Sequence, residues 1–510
     1  MSTQTDVANP PPIPPEQFLG HPKALWQLSN IEMWERFSYY GMRALLAVYV
    51  ATTFFSHMGD QANSEASLVY GGYTALVYAT GIIGGYIADH VLGYQRSILL
   101  GAIIMAAGLF LLLIEDLNWF LIGLALIVAG NGLFKPNIST MIGKLYAPGD
   151  VRRDSGFTIF YMGINLGAFI APFITAAWIG ATWGLKWGFF AAAIGMVLST
   201  LFLEVAKKAL GKVGRPEPGK EGWGRFFAVG LGALLMSIGI YFLLSESRIL
   251  GFLLVGIMLA LAVYFIISGI RSGDRVQLQR YIAMLILFVA NACFWALFEQ
   301  AGSSLNFFAR EFVTPMFGSM ETWLAGGFGI FQSLNPFYIL LFAPLFAALW
   351  PWLDRRNMNP SIPRKFALGL IQVAVGFLVL VVAIANFQNA AGLVPWIFLA
   401  LCYLLHTTGE LCLSPIGLSM VTKLAAEKET GMAMGGWFLS IAMAQYVAGL
   451  IAAIASGGAI GHGVGTAAAA EAGIAQYSET YMMLFWVGLG FGLAYLVAAP
   501  LINKLMHGVK

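Results

Sequence analysis

Hydrophobic residues recur in long runs parted by short breaks of polar residues, glycine or proline. Each run is close to the roughly 20 residues an α-helix needs to cross the hydrocarbon core of a bilayer. Six runs come first, over 31–55, 67–88, 97–114, 119–145, 156–178 and 187–205. A polar stretch over 207–223 follows, then two runs with few polar residues, 226–244 and 250–270. Six more occupy 281–308, 323–353, 366–387, 394–424, 432–455 and 481–505. The order six, two, six predicts an all-α polytopic membrane protein with fourteen spans. It divides into a tail (1–22), a first six-helix bundle (23–206), a linker (207–224), an added helix pair (225–271) and a second six-helix bundle (272–510).

Composition removes the soluble alternatives. Hydrophobic residues make up 59% of the chain and charged residues 10%, against about a quarter charged in an ordinary soluble domain. A membrane β-barrel would instead show ten-residue segments of alternating polarity. The net charge of +3 says little as a total, and nothing suggests a nucleic-acid surface. Cys293, Cys402 and Cys412 all sit inside apolar runs, where small buried packing residues are expected and a disulfide or metal framework is not. The proline-bearing start lacks the basic region of a signal peptide and reads as a disordered tail. Five of the six histidines lie in loops or tails; His406, one turn before Glu410, has no second ligand at metal-binding spacing and reads as packed.

The position of the charges is more telling than their sum. With both termini placed in the cytoplasm, loops and tails on that side hold 22 Lys and Arg, and the opposite loops hold only Lys186, Arg248 and Arg310. Positive loop residues are retained inside, so this orientation is expected, and losing one helix of the central pair would invert every later loop. Three bases fall within apolar spans, Arg36, Arg43 and Lys135, with four acids, Glu32, Glu35, Glu299 and Glu410. A charge near the bilayer centre costs on the order of 3 kcal/mol, so these seven are expected to pair and to line a wet cavity. Four acids against three bases leaves one carboxyl as a candidate proton carrier.

In the first span Glu32, Glu35, Arg36, Tyr39, Tyr40 and Arg43 fall within about 140° of one another at 100° per residue, giving one polar stripe that should face inward. Its sequence, Glu32-x-x-Glu35-Arg36-Phe37-x-Tyr39-Tyr40-Gly41, resembles the first-helix motif of the proton-coupled oligopeptide transporters, a branch of the major facilitator superfamily. Further resemblances follow in chain order: Gly132-Leu133-Phe134-Lys135-Pro136-Asn137 to the fourth helix, Phe160-Tyr161-Met162-Gly163-Ile164-Asn165-Leu166-Gly167 to the fifth, and Phe294-Trp295-Ala296-Leu297-Phe298-Glu299-Gln300 to the seventh. Gln332-Ser333-Leu334-Asn335-Pro336 and Gly409-Glu410-Leu411-Cys412-Leu413-Ser414-Pro415 are similar to the eighth and tenth, and Gly85-x-x-x-Asp89-x-x-x-Gly93-x-x-Arg96 to the superfamily's loop between helices two and three.

The resemblance implies a major facilitator fold of two six-helix bundles with the extra helix pair of bacterial members. It implies a bacterial inner-membrane symporter that brings in di- and tripeptides with protons by alternating access. The peptide's carboxy end would face Arg36, Tyr40, Lys135 and Asn165, its amino end Asn335 and Glu410, with Tyr39, Tyr78, Trp295, Ser414 and Trp437 lining the pocket. For the two tryptophans ordinary helix packing, and for Ser414 a local hydrogen bond beside Pro415, stay open as alternatives. Proton coupling and gating would fall to Glu32, Glu35, Arg43 and Glu299, with Arg43 and Glu299 partners across the outer gate. No cofactor, metal or obligate protein partner is implied, the proton being the coupling ion.

The residues themselves support a two-poled ligand. Arg36 and Lys135 offer donors to a carboxylate, and Glu410 offers an acceptor to an ammonium. A channel would show rings of one charge sign or a carbonyl filter, and a membrane enzyme a nucleophile with a positioned base or a metal; neither pattern occurs. The runner-up within carriers is a relative moving nitrate or another anionic or amphipathic solute. The pairs Gly81-x-x-x-Gly85 and Gly435-Gly436 suggest close helix contacts or hinges.

Overall fold

The structure, a computed structural model, describes residues 17–147, 150, 152–216, 218–457 and 467–509, so most of the expected tail, His462 and Lys510 lie outside it. Among the described residues fourteen long helices carry the fold. The first six are α1 (Lys23–Thr53), α2 (Ala62–Ala79), α3 (Tyr94–Leu111), α4 (Leu117–Lys144), α5 (Arg153–Pro172) and α6 (Leu185–Leu210). The central pair is α7 (Trp223–Ser245) and α8 (Ser247–Arg271). The last six are α9 (Arg275–Phe298), α10 (Leu334–Arg355), α11 (Ile362–Asn386), α12 (Trp396–Leu424), α13 (Thr430–Ser456) and α14 (Ala467–Leu505). Among the described residues thirteen helical stretches are long and apolar enough to span a bilayer. The fourteenth is α1, whose 31 residues suffice in length and whose charges set it apart.

Boundaries depart from expectation where the backbone breaks inside an apolar run. The span over 67–88 is two helices, α2 and Gly81–Ile87, with a π-helical turn at Ala88–Leu92. The span over 281–308 ends as α9 at Phe298, passes through a 3-10 turn at Glu299–Gly302, and restarts as Ser304–Phe312. The span over 323–353 contains Met320–Ala325 and a 3-10 stretch, Gly327–Ser333, before α10 begins. Residues 17–22, expected as tail, pair as two short antiparallel strands, and the Trp26 indole donates to the Phe18 carbonyl (3.0 Å). The expected linker starts late because α6 runs on to Leu210.

In the first bundle α1 packs on α5 and α6, and α3 on α4 and α6; in the second α11 packs on α12 and α14, and α9 on α13. Small residues set these distances. A Cβ on Gly167 would lie 2.1 Å from the Met33 carbonyl oxygen, so α5 comes to α1 through the glycines of its own motif. Proline acts beside them. Pro136 has no N–H for the Gly132 carbonyl one turn back, and that oxygen sits 1.7 Å from where a Cβ on Gly84 would lie. The close approach is therefore at Gly84; Gly81 and Gly85, the pair expected to make it, face open space.

The bundles meet where α2 packs on α13 and α5 on α10. Gly71 and Gly449 bring α2 and α13 together: a Cβ on Gly71 would stand 2.6 Å from the Gly449 Cα. The central pair straddles the two halves. α7 packs mainly on α4 and α8 on α9 and α13, the two touch each other little, and one residue, Glu246, joins them.

Candidate functional site

The polar stripe of α1 lies inside the protein, and α1 itself is buried around nearly all of its circumference. Arg36 answers both acids of the stripe: its Nε lies 3.0 Å from Glu32 Oε1 and also donates to Glu35 Oε2. Glu32 Oε2, Glu35 Oε1 and Arg36 Nη2 are buried without a hydrogen-bond partner among the described residues. The cluster holds more donor and acceptor capacity than it uses. An unmet buried polar atom costs about 1–3 kcal/mol, so a ligand or water able to bond there would be favoured.

One turn beyond Tyr39 and Tyr40, Arg43 joins the bundles. Its Nε donates to the Tyr70 hydroxyl on α2 (2.6 Å) and its Nη2 to Glu299 at the end of α9. Glycine at 302 makes this possible, because a Cβ there would stand 1.7 Å from the Tyr70 hydroxyl oxygen. The break after α9 thus serves the site: it turns Glu299 toward Arg43 and clears room for Tyr70.

Two ions remain. Lys135 lies with its Nζ 4.7 Å from the centre of the Tyr78 ring and has no carboxylate at ion-pair distance among the described residues. Among the described residues Glu410, on α12 of the other bundle, accepts only from a neutral amide, Asn335 Nδ2 (2.8 Å), which also donates to Thr407 (3.1 Å). Five of the seven intramembrane ions are thus paired, and the unpaired two are one cation and one anion on opposite bundles.

A small cavity of about 60 Å³ lies between the bundles, lined by Tyr40, Arg43, Tyr78, Trp295, Glu299, Asn335 and Glu410. That is well below the roughly 300–1,000 Å³ of small-molecule sites, so the cavity is contracted in this conformation. Gln332, which the eighth-helix motif contains without a role of its own, and Tyr403, which no motif contains, line it too. Gln332 donates to the Ala301 carbonyl, and the Tyr403 hydroxyl reaches the same oxygen (3.3 Å). The signal for Tyr403 was its spacing: seven residues before Glu410, it shares that residue's helix face.

Other expected site residues lie off this cavity. Trp437 is buried in the second bundle against Phe288 (6.0 Å) and Phe366 (6.3 Å), with Gly417 cut away to admit its ring; helix packing accounts for it. Ser414 is half-buried and makes no hydrogen bond among the described residues. Asn165 donates to the Tyr161 carbonyl of its own helix (2.9 Å), and Tyr39 is buried edge-on to Tyr40 (5.3 Å) beneath the Arg36 guanidinium. His406 is packed, its Nε2 3.1 Å from the Val373 carbonyl oxygen.

Known proteins resemble this chain along most of its length. The family model described as POT family matches residues 95–467. The chain is 36% identical over 457 residues to the peptide transporter YePEPT of Yersinia enterocolitica, covering 85% of this chain and 88% of that one. It is equally 36% identical over 453 residues to the uncharacterized transporter YclF of Bacillus subtilis, covering 87% and 90%. Among solved structures, a mutant of peptide transporter POT in complex with alafosfalin superposes with a TM-score of 0.80 at 36% identity, covering 97% of this chain and 98% of that one.

Proposed function

This chain belongs to the POT family, and from that premise we propose that it is a proton-coupled symporter of di- and tripeptides working by alternating access. The distribution of Lys and Arg, 22 against 3, supports placing both termini in the cytoplasm and the Arg43–Glu299 end of the cavity outward. One observation carries the substrate class: among the described residues the two intramembrane ions without a counter-charge are Lys135 and Glu410, one on each bundle. A zwitterion supplies both missing partners at once, its carboxylate to Lys135 and Arg36 and its ammonium to Glu410 beside Asn335. Relatives named as peptide transporters support the peptide as that zwitterion.

Coupling follows from competition. The peptide carboxylate takes part of the Arg36 guanidinium, so Glu32 or Glu35 loses its counter-charge and takes a proton. Protonating Glu299 releases Arg43 and loosens the outer closure, whereas ionised Glu299 holds it. One charge moving through about 100 mV supplies roughly 2.3 kcal/mol, which at 1.36 kcal/mol per decade permits about fifty-fold accumulation of a neutral zwitterion. The test is dialanine uptake into proteoliposomes with and without an imposed inward pH gradient. Acid outside is expected to raise uptake; equal uptake in both settings removes the symport reading.

A further inference from the structure

Glu311 is a buried carboxyl that the reading above leaves without work. It lies on Ser304–Phe312, at the outer end of the second bundle, and is 6% exposed. Its Oε1 accepts from Asn63 Nδ2 on α2 (3.2 Å), across the seam between the bundles, and its Oε2 is buried with no partner among the described residues. Asn63 precedes Tyr70 by seven residues on the same helix, which places this contact about 10 Å farther out than Arg43, Tyr70 and Glu299. Two titratable groups face it among the described residues, Arg310 on its own helix, 3.7 Å from Oε1, and the buried Tyr477 on α14. Arg310 is also engaged elsewhere, its Nε donating to the Leu324 carbonyl (3.4 Å).

We propose that Glu311 and Asn63 form a second latch across the outer seam, with Glu311 a positioning residue whose loss of charge makes the closed arrangement easier to reach. Given the transporter reading, solvation of the carboxyl sets the balance. Parting α2 from Ser304–Phe312 would let water reach both carboxylate oxygens. Bringing them together leaves one neutral donor, a guanidinium beyond hydrogen-bond distance, and one oxygen facing nothing. A charge suffers far more from that exchange than a neutral group of the same shape. Neutralising the carboxyl, by substitution or by acid from the outer side, therefore removes a cost of closure. Glu299 works in the opposite sense, since its charge holds Arg43.

The test reads the seam directly. Ser67, on α2 and completely buried, has its carbonyl 2.9 Å from where a Cβ on Gly449 would lie, so a cysteine there reports parting of α2 from α13. Ser67→Cys would be placed in a chain lacking Cys293, Cys402 and Cys412, reconstituted without peptide, and labelled with an impermeant maleimide from outside. Glu311→Gln is expected to slow labelling about five-fold at neutral pH, the weight of one ordinary hydrogen bond. It should also shift the response to outside acid toward faster labelling than in the parent, after correction for thiol ionisation, because the slowing that Glu311 contributes is gone while the release of Arg43 by protonated Glu299 remains. Asn63→Ala should speed labelling, and Glu311→Ala, which removes the latch whole, should speed it too. If Glu311→Gln labels at the parent rate, or keeps the parent's full pH dependence, the proposal is overturned. No peptide enters the assay, so failure here is distinct from failure of acid-driven dialanine uptake in the parent.

Discussion

Glu410 has an amide for a partner where a cation would be expected, and that choice keeps the carboxylate available. Asn335 fixes its direction without cancelling its charge. Glu410→Gln should therefore weaken uptake of peptides with a free amino end by about 10- to 100-fold, the range of a hydrogen bond to a charged group. Amino-blocked peptides should lose much less, and competition of both classes against labelled dialanine would show it; equal losses would overturn the ligand orientation. Gly302 carries a second expectation. Gly302→Ala drives a methyl into the Tyr70 hydroxyl, so thermal stability in detergent should fall by ~1–3 kcal/mol, as for other overpacked sites. Tyr70→Phe in the same chain should recover part of that loss, because it removes the atom struck first. Asp150, in the loop before α5, supplies a contrast in pH. Hydrogen bonds from Arg152 hold its carboxyl down to about 2, below its ordinary value. Whatever stability that adds is present above the unfolded value and lost only as pH falls through about 2. Asp150→Asn should thus leave the pH profile of uptake unchanged across neutral and mildly acid solution.

Helices are legible from hydrophobicity because a span must be apolar for a fixed length, and α3, α4, α7, α8, α11, α12 and α13 all fall within a few residues of expectation. Breaks are not, since a turn buried in protein can be as apolar as the helix it interrupts. Phe298 and Phe307 flank the interruption after α9, and only Gly302-Ser303-Ser304 between them hints at it. The site divides in the same way. Charges in spans announce themselves by their cost, which exposes Arg36, Arg43, Lys135, Glu299 and Glu410, whereas Gln332 and Tyr403 carry no such mark. Trp437 was named by resemblance, and packing claims it. Glu311 escaped because it stands at the edge of its apolar run and looks like a loop acid. At the foot of α8, Glu429 Oε1 accepts from Tyr264 (3.0 Å) and Ser268 (2.6 Å), and Oε2 from Tyr281 on α9. Three hydroxyls on one carboxylate fix α8 to the loop before α13. Glu429→Ala should lower the melting temperature measurably, each lost hydrogen bond being worth about 1 kcal/mol, while dialanine competition should keep its parent affinity because the cavity is untouched.

For the whole molecule, alternating access needs two bundles that move as units and a seam that can part. Gly71 and Gly449 bring backbone against backbone in that seam. A side chain at either position would prop it open, so Gly449→Val should leave a membrane-inserted protein whose outer end labels freely and whose net uptake is lost. Exchange of dialanine driven by a peptide gradient should be lost with it, which separates a propped seam from a proton defect that spares exchange.

The central pair has one leg on each half and a single residue at its vertex. If the halves rock, the legs must splay and fold like dividers, and the gap between their feet becomes a ruler for the conformational cycle. Probes fixed on the lipid-facing turns near Trp223 and Arg271 would read the transporter's state from outside the permeation path, leaving every ion in the cavity undisturbed.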